Sequence, residues 1–376
     1  MSYKHISVVI DVGIDIATFN KYANHTLFFM VSDGLVCALD NNSLQKETSH
    51  GGLCLTHFKQ GAGSPPGYFI LLKHDQYLKC NVADLLTALD WCINNNVSLI
   101  SLSMGTTQYI DAPKVAAIVD SINNKGICLI AGTSNDGRLT FPACLPDCIG
   151  VCADYKGSAV KSDYAYIVNP INGIDVVVSP HAVKGDYIGS NSQATAFFAG
   201  LVYKHLGVPK AAKKWIATNI VPFNNDSIFQ YTCDTIIGKY TDDVVVIAAQ
   251  GLAQDPHISF FGIRLQSLFI NAEYNCLLIF PKNSPSGKKD FSRYMFLQED
   301  SYDCTYAEYV KLIIQLCRPN VILVDYDCYD AEIDVMLYQK STNCSKANVL
   351  KIDLLSNTSA EALNLIINYF ASAELI

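Results

Sequence analysis

Short apolar runs alternate with amphipathic stretches along most of the chain. Ile6-Ser7-Val8-Val9-Ile10 is rich in β-branched residues and ends at Asp11-Val12-Gly13-Ile14-Asp15. That is the pattern of a central parallel strand with an acid at its C-terminal edge. Residues 68–72, 99–103 and 127–131 repeat it, while 82–95 and 115–123 carry apolar residues at helical spacing. Residues 27–39 read as an irregular hairpin and 61–67 as a Gly/Pro-rich turn. Residues 148–153 are strand-like, and 194–202 form an apolar run that reads as a buried helix. Strand alternating with helix predicts an α/β fold with a doubly wound parallel sheet.

Beyond residue 240 the alternation starts afresh. Strands are expected at 244–249, 276–280, 321–324 and 349–352, with helices at 307–316, 331–338 and 360–370. The organisation expected is a first domain over 1–220, closed by a helix at 204–219. A crossing segment over 221–240 follows, then a second, smaller α/β domain over 241–376 with a role in recognition or assembly.

Composition narrows the possibilities. The 376 residues are 50% hydrophobic and only 16% charged, as expected of a compact two-domain protein. A net charge of −8 argues against nucleic acid or an anionic membrane as partner. No run of about 18 apolar residues suggests a membrane span. Met1-Ser2-Tyr3-Lys4-His5 enters the first strand with no signal-peptide pattern, so a cytoplasmic location is expected. The fourteen cysteines fall largely in apolar runs, among them Cys54, Cys92, Cys128, Cys152, Cys276 and Cys317, and read as reduced, buried thiols. Cys144, Cys148 and Cys152 recur every four residues, but Pro146 and the strand-like 148–153 oppose a helical ligand face. No metal and no cofactor is expected. Ser286-Gly287-Lys288-Lys289 has Lys282 where a phosphate loop needs its first Gly, and lacks the following Ser/Thr. Asp325, Asp327, Asp330, Glu332 and Asp334 read as a solvated loop and helix start.

Four positions at the ends of these elements carry chemistry. Asp11 follows a strand, His50 opens a helix and is followed by two glycines, Asn135 follows a strand, and a serine opens the run at 194–202. Serine is a poor nucleophile until a histidine takes its proton, and the histidine needs a carboxylate to fix its tautomer. An asparagine amide can donate to the oxyanion that the attack creates. A serine in the first turn of a helix also sits where unpaired N–H groups favour negative charge. Ser190 and Ser192 both qualify, and either is also an ordinary helix cap. The glycines beside His50 imply that something approaches that backbone closely.

The order Asp, His, Ser is that of the subtilisin group, and the motifs resemble that family over about residues 4–205. Val9-Ile10-Asp11-Val12-Gly13-Ile14 resembles the segment around its catalytic acid, and His50-Gly51-Gly52 is similar to its His-Gly-Thr. Residues 91–105 resemble the helix–strand segment ending in Ser-Leu-Gly, and 131–137 resemble the oxyanion-asparagine loop. Phe141-Pro142-Ala143 resembles Tyr-Pro-Ala, and 175–200 resemble the stretch leading into Gly-Thr-Ser-Met-Ala and a later Ala-Gly. Registering on Ala199-Gly200 selects Ser192 over Ser190.

The resemblance implies that Asp11 orients, His50 acts as base and then acid, Ser192 attacks and Asn135 binds the oxyanion. It further implies substrate-binding walls from Ser103, Met104 and Gly105 and from Gly132, Thr133 and Ser134, with strand addition holding an extended peptide. The sequence departs from the family at Gly52, at Ser190-Asn191 before the nucleophile and at Ala196-Phe197 after it. No inhibitory prodomain is expected before Asp11, and the calcium-binding insertion of secreted relatives is absent after His50. The function expected is an intracellular serine endopeptidase acting on a peptide or precursor peptide, such as one losing a leader. Two other readings are a peptide ligase or macrocyclase using the same triad and an inactive peptide-binding module. A homo-oligomer through the C-terminal domain is compatible with the sequence.

Overall fold

The structure is a computed structural model, and it describes residues 5–74, 80–145, 147–154, 163–167, 173–183, 186–205, 244–252, 254–280, 306–327, 329, 332–339 and 349–372. The chain divides into two compact units, residues 1–107 with 111–235, and 108–110 with 236–376.

The first unit is built on a nine-stranded sheet in the order β3-β2-β4-β1-β5-β6-β7-β9-β8. Its strands are β1 (Ile6–Val12), β2 (Leu27–Ser32), β3 (Leu35–Ala38), β4 (Tyr68–Leu72), β5 (Val97–Leu102), β6 (Cys128–Gly132), β7 (Cys148–Ala153), β8 (Tyr164–Tyr166) and β9 (Val176–Val178). All neighbours run parallel except the β2–β3 hairpin at one edge and the β8–β9 pair at the other. Val8 and Ile10 alternate with Val9 and point to the opposite face, yet all three are fully buried. The sheet is therefore covered on both sides, which is why β1 reads as an unbroken apolar run.

Register brings the chemistry to one edge. Ile10 lies opposite Leu102, Leu102 opposite Ala131, and Gly132 opposite Val151. Asp11, Ser103, Thr133 and the residues after β7 thus leave the sheet side by side at the C-terminal ends of its strands, where open α/β sheets build sites.

Helices α1 (Ile16–Tyr22), α2 (His50–Ala62), α3 (Val82–Asn94), α4 (Ala112–Asn124) and α5 (Asn191–His205) connect the strands. Helices α3 and α4 pack together and on β5 and β6. Helices α2 and α5 share a core with the sheet in which Cys54, Leu55, Phe58, Phe198 and Val202 meet Val9, Leu99 and Ile130. Here two glycines decide the spacing. A Cβ on Gly61 would overlap the Phe197 carbonyl oxygen and lie 2.9 Å from Leu201 N; one on Gly200 would overlap the Phe58 carbonyl oxygen and lie 2.8 Å from Ala62 N. The helices touch backbone to backbone, reciprocally.

The second unit carries five parallel strands in the order β11-β12-β10-β13-β14: β10 (Val245–Ala249), β11 (Cys276–Leu278), β12 (Val321–Asp325), β13 (Val335–Tyr338) and β14 (Leu350–Asp353). Helices α6 (Pro256–Asn271), α7 (Tyr306–Cys317) and α8 (Ser359–Ser372) accompany them. The helix expected at 331–338 is not there. Val335–Tyr338 is strand β13, paired with both β10 and β14, and Val335, Met336 and Leu337 are buried. A four-residue apolar run offers no period to tell a buried strand from a helix turn, and the partners on either side decide it. The helix expected at 204–219 is seen only as the end of α5; its remainder, the crossing at 221–240, the 286–289 segment and Asp330 lie outside the described residues.

The α2–α5 contact yields a stability prediction. Gly200→Ala and Gly61→Ala each force a methyl into backbone with no side chain to yield, so each should destabilise by about 2–3 kcal/mol or more. Gly34→Ala serves as a control, since a Cβ there meets nothing within 4 Å, although its φ of +73° keeps a smaller backbone cost. Chemical denaturation of the three variants measures the ranking; equal effects at Gly34 and Gly200 would contradict it.

Candidate active site

Asp11 is fully buried at the end of β1, and its Oδ1 lies 2.6 Å from His50 Nδ1 and accepts the Val12 N–H at 2.6 Å. Burying a carboxylate is costly unless it is paired, so this bond fixes both partners. Asp11 Oδ1 needs a proton on Nδ1, which leaves Nε2 as the basic nitrogen of a neutral His50. The hydrogen bond that His50 donates to Asp11 holds the His50 pKa above its ordinary value, with burial opposing it and the acid's charge adding to it.

His50 is the first residue of α2, and a network of caps sets where that helix begins. Ser49 Oγ accepts from Gly52 N and donates to Asp15 Oδ2 at 2.9 Å. Asp15 Oδ1 in turn accepts from Thr18 N at 2.8 Å and caps α1. Burial works to raise the Asp15 pKa, but the hydrogen bonds from Thr18 and Ser49 outweigh it and the net shift is downward. The two glycines after His50 have the close neighbours that the sequence implies. A Cβ on Gly51 would overlap the Gly13 carbonyl, and one on Gly52 would overlap the Asp15 carboxylate. Gly52 is where the resembled family carries Thr, and the room is taken here by Asp15. Sequence reasoning passed over Asp15, although an acid four residues after Asp11 and a serine before His50 were both in view.

Ser192 lies in the first turn of α5 and is 8% exposed. Its Oγ donates to the Ser103 carbonyl at 3.1 Å. Ser190 takes the other role open to it: its Oγ accepts from Gln193 N at 3.2 Å, and Gln193 Oε1 accepts from Gly189 N at 2.7 Å, a reciprocal cap of the capping-box kind. Asn135 is exposed, and its Oδ1 accepts from Asn191 N at 3.3 Å. Asn191 is 3% exposed and forms a hub of its own.

Ser103, Met104 and Gly105 leave β5, and Gly132, Thr133 and Ser134 leave the adjacent β6. Gly105 is exposed, and a Cβ there would overlap the Phe141 carbonyl, which Thr106 pairs with through its N–H at 2.9 Å. Ser134 N donates to Thr140 Oγ1 at 3.0 Å, and Ser134 Oγ donates to Asp136, which also accepts from Arg138 Nε at 2.8 Å.

Cys54, one turn along α2 from His50, is a further member. Ligand atoms of Asp11, His50 and Cys54 lie within 4.8 Å of one another, the single group of this kind among the described residues. Burial pushes the Cys54 thiol well above its ordinary pKa, and the charge of Asp11 and a hydrogen bond to its carboxylate push it the same way. A protonated thiol against an Asp–His pair already bonded to each other is a poor ligand set.

The structure thus joins Asp11 to His50, Asn135 to the start of α5, and Ser192 to Ser103 at the same sheet edge. An acid ending a central parallel strand and a histidine and a serine, each in the first turn of a neighbouring helix, lie along one edge of the sheet.

No protein-family model matches the chain, and no curated protein matches it. Similar solved structures include the prenylagaramide maturation protease PagA, at 19% identity and a TM-score of 0.40, with 59% of this chain and 85% of that chain covered. The protease domain of PatA matches at 16% identity and a TM-score of 0.39, covering 61% of this chain and 95% of that one. The epidermin leader peptide processing serine protease EpiP of Staphylococcus aureus matches at 12% identity and a TM-score of 0.41, covering 57% and 68%.

Asp15→Ala removes the cap of α1 and one acceptor of Ser49 together. The expected cost is about 1–2 kcal/mol in denaturant titration. Because its pKa is lowered on folding from 3.8, the wild-type advantage should hold above that value and disappear as pH falls through the lower folded value. An advantage unchanged down to pH 2 would contradict the assignment.

Proposed function

We propose that the chain is a subtilisin-like serine endopeptidase. The observation that carries this reading is the 2.6 Å bond between buried Asp11 and His50 at the sheet edge where Ser192 enters its helix. Ser192 Oγ turns from the Ser103 carbonyl toward His50 as substrate binds, since such bonds often form fully only with substrate present. It attacks the scissile carbonyl carbon while His50 Nε2 takes its proton, and buried Asp11 stabilises the resulting imidazolium. The carbonyl electrons move to oxygen, and the oxyanion accepts from the Asn135 side-chain amide and from Ser192 N–H at the start of α5. The tetrahedral species collapses as His50 gives the proton to the leaving amine. Water, with His50 again as base, then releases the acyl group and restores Ser192.

An extended peptide would lie between Ser103-Met104-Gly105 and Gly132-Thr133-Ser134, pairing main chain to main chain. The substrate class proposed is a precursor peptide from which a leader is removed, as the resemblance to subtilases of peptide-natural-product pathways implies. Cys37, Cys54, Cys92, Cys152 and Cys276 are free thiols, in keeping with a reducing, cytoplasmic setting.

A fluorophosphonate probe should label the wild type and not Ser192→Ala; a folded wild type that resists labelling would overturn the reading. Mass spectrometry of a cleaved precursor should show the mass of one added water, whereas cyclisation would show none and would make the chain a ligase. The base must be neutral to act, and Asp11 holds its pKa above 6.5. Activity should therefore fall as pH drops through a value above 6.5, read as the acid limb of kcat/KM. A limb at or below that value would argue against the Asp11 contact.

A further inference from the structure

Asn191 stands directly before the proposed nucleophile, where the resembled family carries threonine, and its side chain is spoken for at every polar position. Its Oδ1 accepts from Ala153 N, at the end of β7, at 2.8 Å. Its Nδ2 donates to the Thr133 carbonyl at 3.0 Å, to Thr133 Oγ1 at 3.2 Å and to the Ser134 carbonyl at 3.0 Å. The backbone N–H of the same residue donates to Asn135 Oδ1 at 3.3 Å, and its carbonyl accepts from Thr195 Oγ1 at 2.7 Å. With 3% exposure, these bonds form out of contact with bulk water.

Geometry makes this more than a well-satisfied asparagine. Successive carbonyls of an extended chain point to opposite sides. Those of Thr133 and Ser134 instead converge on one amide, so the peptide planes immediately before Asn135 are turned, held by the buried Asn191 donor together with the Gly137 N–H on the Ser134 carbonyl. Removing that donor takes a partner from the Thr133 carbonyl and leaves the Ser134 carbonyl to the Gly137 N–H at 3.2 Å, a bond of the turn that follows, so the grip on the peptide before Asn135 loosens. Only a planar amide can accept from β7 with one end and donate to both carbonyls with the other. A threonine hydroxyl has one oxygen and one proton, too few for the three tasks.

We propose that Asn191 is a positioning residue that aims the oxyanion-binding Asn135, from the backbone side through the Ser134 peptide and from the side-chain side through its own N–H. This rests on the serine-peptidase reading. The clamp would make the oxyanion pocket rigid before substrate arrives, the condition under which such donors act most strongly.

The test is the rate of phosphonylation of Ser192 by a fluorophosphonate, with its saturation analysed into a binding constant and a maximal rate. Asn191→Ala should lower the maximal rate by about 10- to 100-fold with the binding constant within about threefold, a loss below the roughly 100- to 1,000-fold of removing an oxyanion donor outright. Asn191→Asp keeps the acceptor for Ala153 N but sets a carboxylate against two carbonyls, and should lose at least as much. Asn191→Thr, which retains one donor and is the variant to use if the alanine does not fold, should lose less. The decisive arm is the cycle with Asn135→Ala. If Asn191 acts through Asn135, the double variant should be no more than about threefold slower than Asn135→Ala alone; multiplying losses would mean a merely structural role. A folded Asn191→Ala labelled within twofold of wild type would overturn this inference and leave the peptidase reading standing, whereas an unlabelled wild type would overturn the peptidase reading itself.

Discussion

The contact on which the rest depends is the backbone-to-backbone crossing of α2 and α5 at Gly61 and Gly200. His50 is the first residue of one helix and Ser192 the second residue of the other. A helix is stiff over three or four turns, so the crossing transmits to both N-termini. Any side chain at either glycine would hold the axes apart and carry the two groups with them. Phe58 and Phe197 bring their carbonyls to the crossing, and the side chains of Phe58, Phe197 and Phe198 lie in the core that the two helices share. Ala196-Phe197, one of the places where the chain departs from the resembled family, is therefore part of that packing.

Each helix start is then locked separately. The Asp15–Ser49 network caps α1 and α2 at once, and its carboxylate fills the volume that a side chain on Gly52 would need. At α5, Ser190 and Gln193 cap the helix while Asn191 grips the loop beyond β6. Three neighbouring residues thus divide the work: one caps, one clamps and one presents its hydroxyl. Such division follows from helix geometry, because consecutive residues in a first turn point about 100° apart.

Burial sets the electrostatics. Asp11 is fully enclosed, bonded to His50 and to Val12 N, with the Cys54 thiol as its other polar neighbour. The hydrogen bond to Asp11, with the acid's charge adding, makes His50 a stronger base, while burial first and the Asp11 charge second make Cys54 an inert thiol.

Much of this was legible in the sequence, for physical reasons. Strands buried on both faces must be apolar throughout, so β1, β4, β5 and β6 announced themselves, as did the amphipathic α3 and α4. The order of Asp11, His50, Asn135 and Ser192 at element ends, with glycines beside the histidine, pointed to one kind of chemistry. Only tertiary structure decided the rest. Val335–Tyr338 became a strand because β10 and β14 flank it, and no local pattern carries that information. Ser190 and Ser192 share a local setting; the Ala199-Gly200 register had selected Ser192, but what each hydroxyl reaches, Gln193 N in one case and Ser103 O in the other, is set by the fold. Asp15, Cys54 and Asn191 looked like an ordinary turn acid, a core thiol and a substitution. What each does is fixed by groups distant in sequence, and a hydrogen bond exists only where folding has brought donor and acceptor together.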